Sequence, residues 1–204
     1  MIAKQEDYAM FLSARAFRRL TVTAVAVLGL AAMAGLSLLP AAEKPKASPP
    51  VLVTSLGQSL DAFQIQLVVR RAGIPFKYDA HAGVDQLEDA KTLFVALGAS
   101  LKGFGDAGIT IKDELSRAGQ LLDAAKSRGL FIVGLHMGGP DRRDALSDQL
   151  ISLAAPRAQL LIIREDSDAD GLFAGIAKAG NIPVITIDNV LNLKQPVADL
   201  FAGG

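Results

Sequence analysis

The apolar run Val51-Leu-Val passes into Thr54-Ser-Leu-Gly-Gln-Ser59, and an amphipathic segment begins at once with Leu60 and Asp61. Strand, tight turn and helix in that order open an α/β unit. Lys91–Leu97 and Leu130–Leu135 are further near-continuous apolar runs. Such runs mark strands buried on both faces, as the strands of a parallel sheet are. Ile74–Tyr78, Leu160–Ile163 and Pro183–Ile187 read as shorter strands.

Helical patterning fills most of the intervals. A first helix is expected from Ser59 to about Arg71, with Leu60, Phe63, Leu67 and Val68 on one stripe, ended by Gly73 and Pro75. Asp79 to Ala90 reads as a polar connection with a helical turn, and Gly98 to Gly108, with four glycines in eleven residues, as a loop. Thr110 with Asp113 forms a capping-box start for a long helix carrying Ile111, Leu115, Ala118, Leu122 and Ala125, which Gly129 stops. Further helices are expected from about Ser147 to Ala155, from Leu172 to Gly180, and in a short terminal piece with Pro196 in its first turn. The alternation predicts an α/β fold: a three-layer, doubly wound, mostly parallel sheet of five to six strands, flavodoxin-like or Rossmann-like.

An N-terminal hydrophobic helix is expected ahead of that domain. Residues 1–19 form a basic segment containing Arg15, Arg18 and Arg19, and Leu20 to Leu39 carries no charge. Twenty apolar residues match the roughly 30 Å of hydrocarbon that a spanning helix crosses, which suits an anchor; Ala32-Met-Ala34 is an A-x-A match, which suits a cleaved signal peptide. Under either reading the arginines stay cytoplasmic. Residues 40–50 are a Pro/Ala/Lys linker, and residues 51–204 form the α/β domain, in the periplasm or tethered to the inner membrane through 20–39. The chain has no cysteine, so a domain outside the cytoplasm is held by its core alone.

Composition narrows the function. Lys+Arg and Asp+Glu both number 21, so no basic field exists to hold nucleic acid. Aromatic residues are 5 % of the chain and Trp is absent, which argues against stacking surfaces for single strands or sugars.

In doubly wound sheets, ligands bind beyond the carboxyl ends of the strands. The loops at that edge carry Ser55, Gly57, Gln58, Ser59 and Asp61; Ser100 and Lys102; and His136, Gly138, Gly139 and Arg142, with Arg143 beside it. Gly57 can adopt a backbone closed to other residues, Ser59 can cap the following helix, and unpaired amides at a helix start favour an anion. Hydroxyl donors, a glycine-rich backbone and two kinds of cation on one rim suit a small carboxylate or phosphate. The bland alternatives are an ordinary βα turn, a strand-end histidine bonded to a carbonyl, and arginines solvated beside Asp141 and Asp144.

Thr54-Ser-Leu-Gly-Gln-Ser59 resembles the flavodoxin phosphate loop. Leu56 departs from it where that family has a hydroxyl, and no Trp or Tyr follows in the later loops to stack on a flavin. Gly57-Gln-Ser59 is also similar to the Gly-Asp-Ser nucleophile of SGNH-type hydrolases, which pair it with an Asp-x-x-His near the C-terminus; the histidines here are His81 and His136. No cofactor is therefore expected, and binding is preferred to catalysis. The enzymatic alternative takes His136 as base with Lys102 or Arg142 as anion stabiliser. Asp166-Ser-Asp-Ala-Asp-Gly171 copies the first half of a calcium loop, but position twelve is Ala177, so the acids read as a helix start rather than as metal ligands.

Taken together, Thr54-Ser-Leu-Gly-Gln-Ser-Leu-Asp61, Gly98-Ala-Ser-Leu-Lys-Gly103 and Gly134-Leu-His-Met-Gly-Gly139, with Arg142-Arg143 and Ser147-Asp148, resemble an uncharacterised family of exported bacterial α/β proteins, a domain of unknown function. The resemblance runs from about Val51 to Phe201 and implies the fold and export, with no substrate, cofactor or catalytic residue. The expected function is a membrane-tethered or periplasmic binding domain for a small anion, accessory to a transport system, with an envelope or transporter protein as partner. The rivals are a periplasmic hydrolase or flavoprotein using the same loops, and an envelope interaction module.

Overall fold

A computed structural model of the chain describes residues 47–202. The expected basic segment, the apolar helix of residues 20–39 and the linker up to residue 46 lie outside the described residues. Among the described residues, no helix is long and apolar enough to cross a membrane.

Six strands, β1 (Val51–Leu56), β2 (Phe76–Tyr78), β3 (Thr92–Leu97), β4 (Phe131–His136), β5 (Leu160–Arg164) and β6 (Val184–Ile187), form one sheet in the order β2-β1-β3-β4-β5-β6. Every pairing is parallel. Parallel neighbours need crossover connections, and six helices supply them or follow the last strand: α1 (Asp61–Arg71), α2 (Leu101–Ala107), α3 (Ile111–Ser127), α4 (Ala145–Ala154), α5 (Leu172–Gly180) and α6 (Lys194–Phe201). The strand order reverses between β1 and β3, so the β1-to-β2 and β3-to-β4 crossovers run to opposite sides of that point. Leu56 lies beside Leu97, and His136 beside Ile163, so the ends of β1, β3, β4 and β5 share one edge.

Both faces of the sheet are covered. Leu52, Leu56, Leu93, Val95, Leu97, Ile132, Leu161 and Ile163 pack with Ala118, Leu121, Leu122, Leu150, Ile151 and Phe173 from α3, α4 and α5. The alternate residues Val51, Val53, Phe94, Ala96, Val133, Leu135, Leu160 and Ile162 pack with Ala62, Ile65, Val69, Val197 and Leu200 from α1 and α6. Strand periodicity of two therefore reads out as two cores, and each fully buried Leu, Ile or Phe contributes about 1.5–3 kcal/mol.

Several local expectations are met. Thr110 Oγ1 accepts from the Asp113 amide at 3.2 Å while Asp113 Oδ2 accepts from the Thr110 amide at 2.9 Å, closing the capping box of α3. The helix α5 ends at Gly180 as expected, with Asn181 in the left-handed region after it, and Pro196 sits in the first turn of α6.

Two expectations are corrected. The glycine-rich stretch from Gly98 to Gly108 is not all loop: Ser100 Oγ accepts from the Gly103 amide at 3.1 Å and starts α2, which Gly108 ends in the left-handed region. A strong cap and a left-handed stop outweigh the poor helix propensity of Gly103 and Gly105. The second correction concerns α1, which begins at Asp61 and not at Ser59, and whose buried arc is Ala62, Ile65, Gln66, Val68 and Val69. Leu60 and Phe63 are 73 % and 48 % exposed. The segment carries two overlapping apolar arcs that share Val68, and packing on the sheet selects the one with more β-branched side chains.

Candidate functional site

The turn after β1 is built by close approach. Gly57 has φ +116°, and a Cβ there would overlap the Gly98 carbonyl, so the β1 and β3 loops touch backbone to backbone. Gln58, itself at φ +58°, forms an isolated antiparallel bridge with Ala99, and the Ser100 amide donates to the Gly57 carbonyl at 2.8 Å.

Three amides at the start of this turn and helix are bonded within the protein. The Gly57 amide donates to Glu114 Oε1 at 2.7 Å, the Ser59 amide to Ser55 Oγ at 2.9 Å and the Asp61 amide to Ser59 Oγ at 3.3 Å. On the facing loop the Ala99 amide donates to Ser147 Oγ at 2.9 Å. The turn is thus an internally bonded hinge between two loops. Ser55 and Ser59 keep one hydroxyl proton each to donate, and Ser100 is the cap of α2.

A buried ion pair that sequence reading did not single out holds this turn. Glu114, fully buried on α3, pairs with Arg117 at 2.6 Å, and Arg117 also donates to the carbonyls of Ala82 and Ser55 at 2.6 Å each. Gln58 Nε2 lies 3.3 Å from the same carboxylate and 2.9 Å from His81 Nδ1. Burial alone would raise the Glu114 carboxyl; the Arg117 bonds and charge, with the Gly57 amide and Gln58, hold it below the ordinary carboxylate range. The signal in the sequence was the i, i+3 spacing of Glu114 and Arg117, which on an exposed helix face would mean little.

Beyond the turn, four side chains form a row along the carboxyl edge. Asp61 opens α1, His136 ends β4, Arg142 lies in the 3-10 turn Pro140–Arg142 that follows β4, and Arg164 ends β5. Asp61 is 6 % exposed, and its Oδ2 has no hydrogen-bond partner among the described residues. Burial raises its carboxyl above the ordinary range, opposed by the charges of His136, Arg142 and Arg164 and by Ser59. His136 is fully buried, with Nδ1 2.7 Å from the Leu97 carbonyl and Nε2 3.4 Å from the Gly139 carbonyl. That geometry puts the proton on Nδ1. Burial, the largest influence, holds the imidazole below its ordinary range despite those carbonyls. With one nitrogen bonded and both enclosed, His136 is a buried member of the row rather than a base standing free at the surface.

Gly138 and Gly139 seat the arginines. A Cβ at Gly138 would overlap the stem of Arg142, and at Gly139, φ +64°, it would overlap the guanidinium of Arg164. Among the described residues, the Arg142 side chain makes one long hydrogen bond, Nη1 to the Ala99 carbonyl at 3.3 Å. Arg143 is differently placed. It donates to Asp148 at 2.8 Å, to Asp170 at 2.7 Å and to the Ser167 carbonyl, with its guanidinium 5.4 Å from the Phe173 ring centre. Arg164 is paired in a fork with Asp166. Arg142 is therefore the cation of the row with the most donors left to offer. Lys102 is exposed on the first turn of α2. Arg164 was not singled out from sequence, where it is only the last residue of an apolar run.

The acidic loop acts as a helix start. Asp168 accepts from the Phe173 and Ala174 amides at 2.7 and 2.9 Å, and Asp170 accepts from the Leu172 amide at 3.2 Å as well as from Arg143. Hydrogen bonds from Arg164 and Arg143 hold the Asp166 and Asp170 carboxyls low. Among the described residues, no cluster of three His, Cys, Asp or Glu is arranged to hold a metal ion. A surface cleft of about 210 Å³ adjoins this loop, lined by Pro140, Arg143, Asp148, Asp166, Ser167, Ala169 and Asp170.

The model of a family described as a domain of unknown function (DUF6305) matches residues 48–201, and the chain belongs to that family. The sequence matches no curated protein.

Proposed function

We propose that this member of the DUF6305 family is a binding domain for a small anion, a carboxylate or a phosphate-like group, held at the carboxyl edge of the sheet. The observation that carries the proposal is Arg142: a half-buried side chain whose stem rests on Gly138 and whose guanidinium makes a single 3.3 Å hydrogen bond among the described residues, near the buried Asp61 and His136. Guanidinium donors are the usual partners of carboxylate and phosphate. The strand order extends the flavodoxin-like order 2-1-3-4-5 by one strand, and in such sheets ligands gather at this edge. In this reading the anion meets side chains of the β4 and β5 ends, since the amides of Gly57, Ser59 and Asp61 are bonded inside the protein.

The uncharged segment from Leu20 to Leu39 behind Arg15, Arg18 and Arg19 supports a place outside the cytoplasm, either released into the periplasm or anchored in the inner membrane. A capture domain accessory to a transport system, working with an envelope or transporter protein, fits that address. The site test is a thermal-shift screen of the purified full-length chain in mild detergent against inorganic phosphate and simple carboxylates. At least one should raise the melting temperature of the wild type and fail to do so for Arg142→Ala. The address is tested by fusing a periplasm-dependent reporter after Ser48, where activity is expected and its absence contradicts export.

A further inference from the structure

Asp61 is costly as it stands. Its carboxyl is buried, Oδ2 has no hydrogen-bond partner among the described residues, and Arg142 and Arg164 act on it through their charge. Buried polar groups are normally hydrogen-bonded, and a buried carboxyl oxygen left without a partner is a cost to the fold. An anion bound on Arg142 alone would leave that oxygen without a partner.

We infer that the ligand brings Asp61 its missing partner: a small acid carrying a hydrogen-bond donor, an ammonium or hydroxyl group, beside its anionic group, with the anion on Arg142 and the donor on Asp61. This rests on the anion-binding reading and narrows its ligand class to amino or hydroxy acids. Ser59, 4 % exposed and two residues before Asp61, presents its hydroxyl next to the same carboxyl. Arg142 is the side chain best placed to give way on entry, since its stem rests on Gly138 and its head is held by the one long bond. Gly98 brings the two groups together, since a Cβ there would stand 3.9 Å from both the Arg142 stem and the His136 ring.

The test compares acids of matched skeleton by calorimetry on the full-length chain at pH 7: propionate, lactate and alanine in one set, succinate, malate and aspartate in the other. In at least one set a donor-bearing acid should bind at least tenfold more tightly than its simple parent, and Asp61→Asn should reduce that ratio to about one. Lactate against alanine, and malate against aspartate, then tell hydroxyl from ammonium. Equal affinity within both sets, lost on Arg142→Ala, would overturn this inference while leaving the anion site standing. So would a preference that survives Asp61→Asn. Failure of every compound and of inorganic phosphate to bind the wild type overturns both.

Discussion

Gly57 donates its amide to Glu114 Oε1 at 2.7 Å across 57 residues of chain, so the turn after the first strand is fastened to α3. Arg117 completes the fastening by pairing with Glu114 and capping the carbonyls of Ser55 and Ala82. Removing one member of such a buried pair strands the other. Glu114→Ala should therefore cost about 3–5 kcal/mol of unfolding free energy, read as a lower urea midpoint. A change below about 1 kcal/mol would show that the turn holds itself.

The same carboxylate sets an acid limit. Because its folded pKa lies below the ordinary value, the charged form is favoured by folding; that stability is fully present above the ordinary carboxylate pKa and is lost as pH falls through the folded value. Urea unfolding of the wild type and Glu114→Gln from pH 7 to pH 3 should show the advantage of the wild type shrinking over the acid end. An advantage that does not vary with pH contradicts the pairing.

Asp61 should behave in the opposite sense. Its folded pKa is raised, so its contribution is most favourable below the ordinary carboxylate pKa and fades as pH rises through the folded value. Asp61→Asn, which removes the buried charge at little change of shape, should be at least as stable as the wild type at pH 7 and lose that advantage toward pH 4. Destabilisation at pH 7 would mean that the carboxylate has a partner in the folded state.

Much of the fold was legible because strands buried on both faces leave an unmistakable run, as Thr92–Leu97 and Phe131–His136 do. The helix α2 was hidden by its glycines, of which Gly103 packs closely against Gln58 while Gly105 faces open space. The site was legible only in outline. Gly138, Gly139 and Arg142 were singled out as ligand contacts, whereas the glycines seat Arg142 and Arg164. Glu114 and Arg117 went unnoticed because their importance comes from burial, which no local pattern announces. That Asp61 is buried, and that Arg142 and Arg143 differ, depends on tertiary contacts which adjacent residues in a sequence cannot express.

The phase of α1 gives a direct comparison. Ile65→Ala should cost about 2–5 kcal/mol as a cavity in the core, whereas Leu60→Ser should stay within about 0.5 kcal/mol. Urea titrations of the two variants check this, and the reverse ranking would restore the stripe through Leu60 and Phe63.

Asp168 holds two amides at the start of α5. Asp168→Ala should cost about 1 kcal/mol as a lost cap, and calcium should leave the wild-type melting temperature unchanged, whereas a tightly bound ion at hundredfold excess would add about 2.7 kcal/mol. A calcium-dependent rise abolished by Asp168→Ala would make the loop a metal site.

The decisive measurement for the anion site is the affinity of the wild type and Arg142→Ala for the best small anion found in the screen. The expected result is saturable binding to the wild type that weakens at least tenfold in Arg142→Ala while the melting temperature of the unliganded protein stays nearly the same. Undiminished affinity in Arg142→Ala would contradict the site drawn along the edge from Asp61 to Arg164.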